Sequence, residues 1–551
     1  MQIVNAAPAM LRIADAADTG LEDALRQLDA SPPDDGNRLV AHLAAACAAA
    51  RRALATLARG EQGALRWPQF AHAMHIDKQV QACYARAGHW MLSATAQAQQ
   101  LPQELIQSSA QLLRDISAIY ACEVVEPGAA SPAQEQARDP ALRFTRALWC
   151  LGMSAKWTYF MHREADGALW RTCHALYLRA ESLGIAHRKI RPYLDPEMGA
   201  LTCADVYVQT LLLGMLNAGN LSAQQIELAH RWVMAFVRNA GVETSGDGAA
   251  HVFHVCLDSE RGLEAGRPPG GASAAVRFVD IEPVCASLID SRASLRRGKV
   301  DLGEADSQVA VLDYGAFLDL AERFWAPGAN QVQERAPRIG ATPQVIDVVV
   351  GFDRLIRAMS GGMAAPTVAG HPTADTAGSG GNITFLHPDA AVTPADMLTC
   401  TLKDYSDTGV GLLMPGGSAA PAPGALIGFR MSRGGRWEAG VLMRRLATPD
   451  AEQSLLGIKG VSDHPIVVTL RHGKPGAAAA ASAPMQSLAI FAPLDGRRSR
   501  VDSLILSDVT YSRCKDFMLS TGAITFHVRL NRVLDRGDGW LRAGYQVLGK
   551  K

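Results

Sequence analysis

The stretch CTLKDYSDTGVGLLMPGG, residues 400–417, decides how the second half of the chain is read. An apolar run enters Asp404-Tyr405-Ser406-Asp407-Thr408-Gly409, and a second apolar run leaves it. Asp, Ser and Gly carry turn chemistry, so the segment reads as strand, turn, strand. Further short apolar runs lie on either side: VIDVVV (345–350), LIGFRM (426–431), WEAGVLMRR (437–445), PIVVTL (465–470) and AITFHVRL (523–530). Glycine and proline clusters separate them, as in a barrel or sandwich. On these residues alone the turn also suits an ordinary hairpin in which Asp404 and Ser406 satisfy backbone donors. The strands that follow it tip the balance.

Asp404-x-Ser406-x-x-Gly409, followed in order by GALIGFRM, GGRWEAGVLMRR and LLGIKGVS, resembles the PilZ family. The signature of that family is D/N-x-S-x-x-G on a strand-turn-strand, and its members are receptors for the bacterial messenger cyclic di-GMP. The resemblance covers residues 333–472, about a quarter of the chain. It implies an antiparallel β-barrel and a nucleotide ligand. In the family a pair of arginines spaced R-x-x-x-R precedes the barrel. Here the matching stretch is Gln333-Glu334-Arg335-Ala336-Pro337-Arg338-Ile339: Arg338 fits the second position, Glu334 occupies the first, and Arg335 stands one residue late.

The resemblance implies a division of roles that the chemistry of each group supports. Arg338 and Arg335 would take phosphate and the guanine Hoogsteen edge, because a guanidinium forks onto both. Asp404 would accept from guanine N–H groups. Ser406 would set a small donor and acceptor near base or phosphate, and Gly409 would permit a tight turn and close backbone approach. Arg444 and Arg445 could add a phosphate contact, although solvated strand-end charge is the simpler reading. Glu334 would repel phosphate. It favours the alternative of a degenerate PilZ protein that serves as a protein-interaction scaffold without nucleotide.

Up to residue 245 the period is helical. Leu39, Leu43, Cys47, Ala50 and Leu54 recur at spacings of three and four, and so do Phe144, Leu148, Leu151 and Ala155. Asp139-Pro140 predicts an N-cap followed by proline at the first helical position, and Ser222 with Gln225 has capping-box spacing. Six to eight helices fit, without the fixed repeat of a solenoid. After TSGDG (244–248), short strand-like runs and two helical stretches near 282–296 and 314–325 predict a small mixed region. Two low-complexity segments, 360–382 and 473–484, read as a flexible insertion and a linker.

The sequence therefore predicts a multidomain α+β protein. A helical domain (1–245) leads into a small mixed α/β region (246–326). A PilZ-like antiparallel barrel (333–472, with insertion 360–382) and a further small β unit (485–551) follow. Lys and Arg total 54, as do Asp and Glu, which removes the electrostatic case for a general nucleic-acid partner. None of the ten cysteines forms a C-x-x-C pair, and the first twenty residues lack the layout of a signal peptide. The longest apolar stretch, 207–219, is too short to span a bilayer. A cytoplasmic receptor or adaptor is expected, with no catalytic residues, metal or cofactor, and with a protein partner engaged through the helical body. An enzyme site in that body is supported only by its size. His251 and His254 in HVFHVC, and the S-x-x-K of Ser512 to Lys515, read as ordinary structural residues. Trp149, Trp157, Trp170 and Trp232 read as core.

Overall fold

A computed structural model of the chain describes residues 23–24, 26–27, 36–55, 57, 64–92, 101–125, 132–193, 198–216, 221–246, 253–266, 268, 274–297, 311–325, 339–360, 397–416, 421–431, 435–447, 453–472, 486–494, 502–521, 524–537 and 539–550. It divides into two compact units, Met1–Gln333 and Glu334–Lys551.

The first unit is mainly helical: α1 (Gly36–Ala55), α2 (Trp67–Met91), α3 (Gln103–Ala121), α4 (Pro132–Arg138), α5 (Pro140–Phe160), α6 (Gly167–Ser182), α7 (Cys203–Met215), α8 (Ala223–Phe236), α9 (Glu282–Arg296) and α10 (Val311–Trp325). Two short strands, β1 (Leu65–Arg66) and β2 (Val124–Val125), pair in parallel. The caps form as the spacing predicts. Asp139 accepts from the Ala141 N–H, and Ser222 and Gln225 complete a reciprocal capping box at α8. Ser222→Ala should cost about 1 kcal/mol, read as a lower thermal midpoint for the full chain with unchanged helicity.

The apolar stretch near 207–219 supplies α7, whose residues Cys203 to Leu213 are nearly all buried. A helix apolar all round belongs inside a globule. Trp232 lies fully buried between Phe236, Phe317 and Trp325, and its indole N–H donates to Ser291 Oγ at 3.1 Å. Those contacts join α8 to α9 and α10. A four-stranded antiparallel sheet, in the order β3 (Gly241–Glu243), β6 (Val276–Asp280), β4 (Phe253–Cys256), β5 (Glu264–Ala265), adds Val255 and Val279 to the same core. The mixed region thus shares one interior with the helices instead of enclosing its own.

The second unit holds two closed six-stranded antiparallel barrels. The first runs β10 (Leu426–Arg430), β11 (Glu438–Ala447), β12 (Gln453–Ser462), β9 (Gly409–Pro415), β8 (Leu398–Ser406), β7 (Ile339–Val350). Closure between β10 and β7 is fixed by Arg430, which sits opposite Asp347 and donates to its carboxylate from Nε at 2.8 Å. The second runs β13 (Ile466–His472), β14 (Gln486–Ala492), β15 (Ser503–Ser507), β18 (Trp540–Lys550), β17 (Ile524–Gly537), β16 (Asp516–Thr521). The strand at 466–472, which the sequence reading ends the first barrel with, pairs instead with β14 and β16. Ser462-Asp463-His464-Pro465 reads like any other turn between neighbouring strands, so only the pairing tells the two barrels apart. What reads as a small β unit at 485–551 is the larger part of a complete second barrel.

A short helix, α11 (Phe352–Ser360), lies between the barrels. Its Phe352, Leu355 and Ile356 pack with Val349, Leu426 and Val441 of the first barrel and with Ile490, Ile505 and Trp540 of the second. A last helix, α12 (Asp508–Arg513), follows β15. Beyond Ser360, which ends α11, the insertion assigned to 360–382 lies outside the described residues, as does the linker at 473–484.

Candidate functional site

Alternation decides which side chains of the β8–β9 hairpin face outward. Cys400, Leu402, Val410, Leu412 and Met414 fill the barrel core. Leu402 stands opposite Leu412, but Asp404 stands opposite Gly411, so Lys403 is an extra residue in β8. In an unbroken register Asp404 would face Val410 and point inward. The bulge turns its carboxylate to the outer face. Ser406, opposite Gly409, shares that face, and the turn at Asp407-Thr408 is held by the Gly460 N–H donating to the Thr408 carbonyl at 2.9 Å.

Two glycines of β9 make room for this arrangement. A Cβ on Gly411 would fall 2.9 Å from Asp404 Cγ, so the carboxylate lies directly over this residue. A Cβ on Gly409 would collide with the carbonyl oxygen of Ile458 on β12. Gly409 therefore serves close strand approach.

Register extends the face across the sheet. Gly411 pairs with Gly457 on β12, and Gly457 pairs with Arg444 on β11. Asp404, Gly411, Gly457 and Arg444 thus form one row across four strands, about 14 Å from end to end at ordinary strand spacing. Its middle is a glycine floor between an acid and a guanidinium. A parallel row runs Ser406, Gly409, Lys459. Arg444 and Arg445 are half-buried, so they are not simple solvated strand-end charges. Ser406 Oγ donates to the Gly409 carbonyl at 3.4 Å, a long bond that a better acceptor can replace.

Such a face offers a carboxylate acceptor, a hydroxyl, two cations and a flat floor. That set suits a planar ring bearing N–H groups and an attached anion. β7 begins at Ile339, opposite Tyr405, and Gly340 stands opposite Asp404. Arg335, Arg338 and Glu334 immediately precede this strand and lie outside the described residues. The structure brings Asp404, Ser406 and Gly409 together. Gly411, Gly457 and Lys459 escape the sequence reading because only strand register reveals them.

The other motifs are structural. His254 is buried in β4 with Nδ1 2.9 Å from the Gly266 carbonyl oxygen; His251 lies outside the described residues. Ser512 and Lys515 bond back to the α12 carbonyls of Asp508 and Tyr511. Trp149, Trp157, Trp170 and Trp232 are buried in the core of the first unit. That core also holds charge. Asp77 accepts from Tyr120 at 2.6 Å, Tyr193 at 2.9 Å and Gln81 at 3.0 Å, while Arg146 donates to Tyr120 and to the Pro192 carbonyl. Lys156 meets Glu227 at 2.8 Å with both side chains 4% exposed. Such paired buried groups hold helices together. Among the described residues no cluster of His, Cys, Asp or Glu is arranged to hold a metal, and no helix is long and apolar enough to cross a membrane.

Residues 20–245 match a protein-family model described as the N-terminal domain of the cyclic-di-GMP receptor FimW. The match covers most of the helical unit and ends ahead of the barrels. No curated protein matches the chain.

Proposed function

We propose that the protein is a cytoplasmic cyclic di-GMP receptor, acting as a signalling adaptor and not as an enzyme. The first barrel would bind the messenger in the manner of a PilZ domain, and the helical unit would pass the occupancy on to a protein partner. The observation that carries this reading is the outer face on which Asp404, Ser406 and Gly409 stand together beside a glycine floor. The match of residues 20–245 to the N-terminal domain of a receptor for the same messenger supports it from the other end of the chain. In this reading Asp404 accepts from guanine N–H groups, Ser406 sits near base or phosphate, and Arg338 and Arg335 close over the ligand. Their engagement with the ligand would be the switch.

Titration calorimetry of the full chain with cyclic di-GMP tests the proposal. Wild type should bind, and Arg338→Ala should weaken binding roughly ten- to a hundredfold through loss of a charge-assisted fork. Glu334→Arg, which restores the family spacing, should tighten it, with a gain that shrinks in high salt. Absence of heat at millimolar ligand in both wild type and Glu334→Arg would leave the scaffold reading, which Glu334 favours, in its place.

A further inference from the structure

Lys459 stands on β12 directly opposite Gly409, on the outer face that carries Ser406 one strand further on. Gly409 has no side chain, so nothing on β9 separates the lysine stem from Ser406. The ammonium rests 3.4 Å from Asp535 Oδ1 on β17 of the second barrel, with the lysine side chain 49% exposed and the carboxylate 19%. Asp535 has a firmer partner. Arg542 donates to Oδ2 at 3.0 Å from a side chain only 8% exposed, and its Nε donates to Ser503 Oγ at 2.7 Å. The carboxylate is therefore fixed within the second barrel, whereas the lysine, long-stemmed and half in water, is loosely held.

We infer that Lys459 is a further anion-binding residue of this face, and that it exchanges Asp535 for a ligand phosphate on binding. Asp535 keeps Arg542, so no buried charge is stranded by the exchange. Occupancy of the first barrel then removes a polar tie to the second. Signal leaves the site by a change of partner at Lys459. The inference rests on the proposed cyclic di-GMP reading of the face and adds a residue and a coupling route to it.

Two substitutions in the full chain, each titrated with cyclic di-GMP in the calorimeter, test it. Asp535→Asn retains an oxygen toward Arg542 but removes the competing charge, and should tighten binding about three- to tenfold. Lys459→Met should weaken it about tenfold, and in that background Asp535→Asn should change affinity by less than about twofold. Lys459 is exposed enough for its methionine variant to fold even if Asp535→Asn does not, which keeps the test open. If wild type binds but Lys459→Met leaves affinity unchanged, or Asp535→Asn folds and fails to tighten it, the exchange is wrong and the receptor reading stands. If neither wild type nor Glu334→Arg gives heat, both fall together.

Discussion

Glu227→Ala is expected to destabilise the helical unit by about 3–5 kcal/mol. The carboxylate is buried between α2, α5 and α8. It takes Lys156 at 2.8 Å and Arg231 at 3.1 Å, and it fills the space that a Cβ on Gly88 would need. Truncation strands the Lys156 ammonium in a dry site. Burial already pushes the Lys156 pKa down, with only Glu227 pulling it back up. Lys156→Met with Glu227→Leu should recover most of the loss, because a buried pair contributes little beyond an apolar pair of similar volume. Denaturant melts of the full chain measure the total, and hydrogen exchange at α2, α5 and α8 localises it. Equal destabilisation by the single and double variants would contradict the argument.

The same cluster sets an acid limit. Burial alone would push Glu227 up, but Lys156, His230 and Arg231 outweigh it and bring its pKa down to about 2. His230 is lowered from 6.5 to about 3, chiefly by burial and then by Lys156. Both folded values lie below the unfolded ones, so both contributions are complete at neutral pH and are lost as pH falls. The histidine contribution fades first, from about pH 6.5 towards 3, and the carboxylate contribution follows below about 4.5. His230→Asn should flatten the upper part of that acid limb in melts taken between those limits.

Local chemistry was legible wherever it is written in consecutive residues. Ser222 and Gln225 announce their capping box, Asp139-Pro140 announces a helix start, and Asp404 to Gly409 announces a hairpin. Each depends on neighbours no more than five residues away. The buried pair was not legible, because Lys156 and Glu227 are 71 positions apart and each reads as solvated on its own helix. Strand membership failed for the same reason. Nothing local in PIVVTL says whether its hydrogen bonds go to β12 or to β14. The glycine floor is the clearest case, since Gly411 and Gly457 are unremarkable in sequence and become neighbours only through register. The bulge at Lys403 is silent in sequence as well, yet it alone turns Asp404 outward.

That glycine floor yields the second large prediction, which separates the proposed ligand face from the barrel that carries it. Gly411→Ala should place a methyl against the Asp404 carboxylate, whose Cγ lies 2.9 Å from the position of the new Cβ. The obstacle is the end of a side chain and not backbone, so stability should change by less than about 1 kcal/mol. The carboxylate must move, however, and cyclic di-GMP affinity should fall roughly ten- to a hundredfold, as for Asp404→Ala. Gly409→Ala should behave in the opposite order. Its methyl meets the Ile458 carbonyl, which belongs to the β12 backbone and cannot swing aside. Relief requires β9 and β12 to separate, costing about 1–3 kcal/mol of barrel stability before any ligand is added. Melting and titration of the two variants side by side decide the matter. If Gly411→Ala unfolds the barrel, Asp404 is a structural residue of the hairpin. If it leaves both stability and affinity untouched, the carboxylate has no part in holding the messenger. Only intact stability with weakened binding puts Asp404 at the ligand, because that combination requires the residue to be dispensable to the fold and needed by whatever lies across the floor.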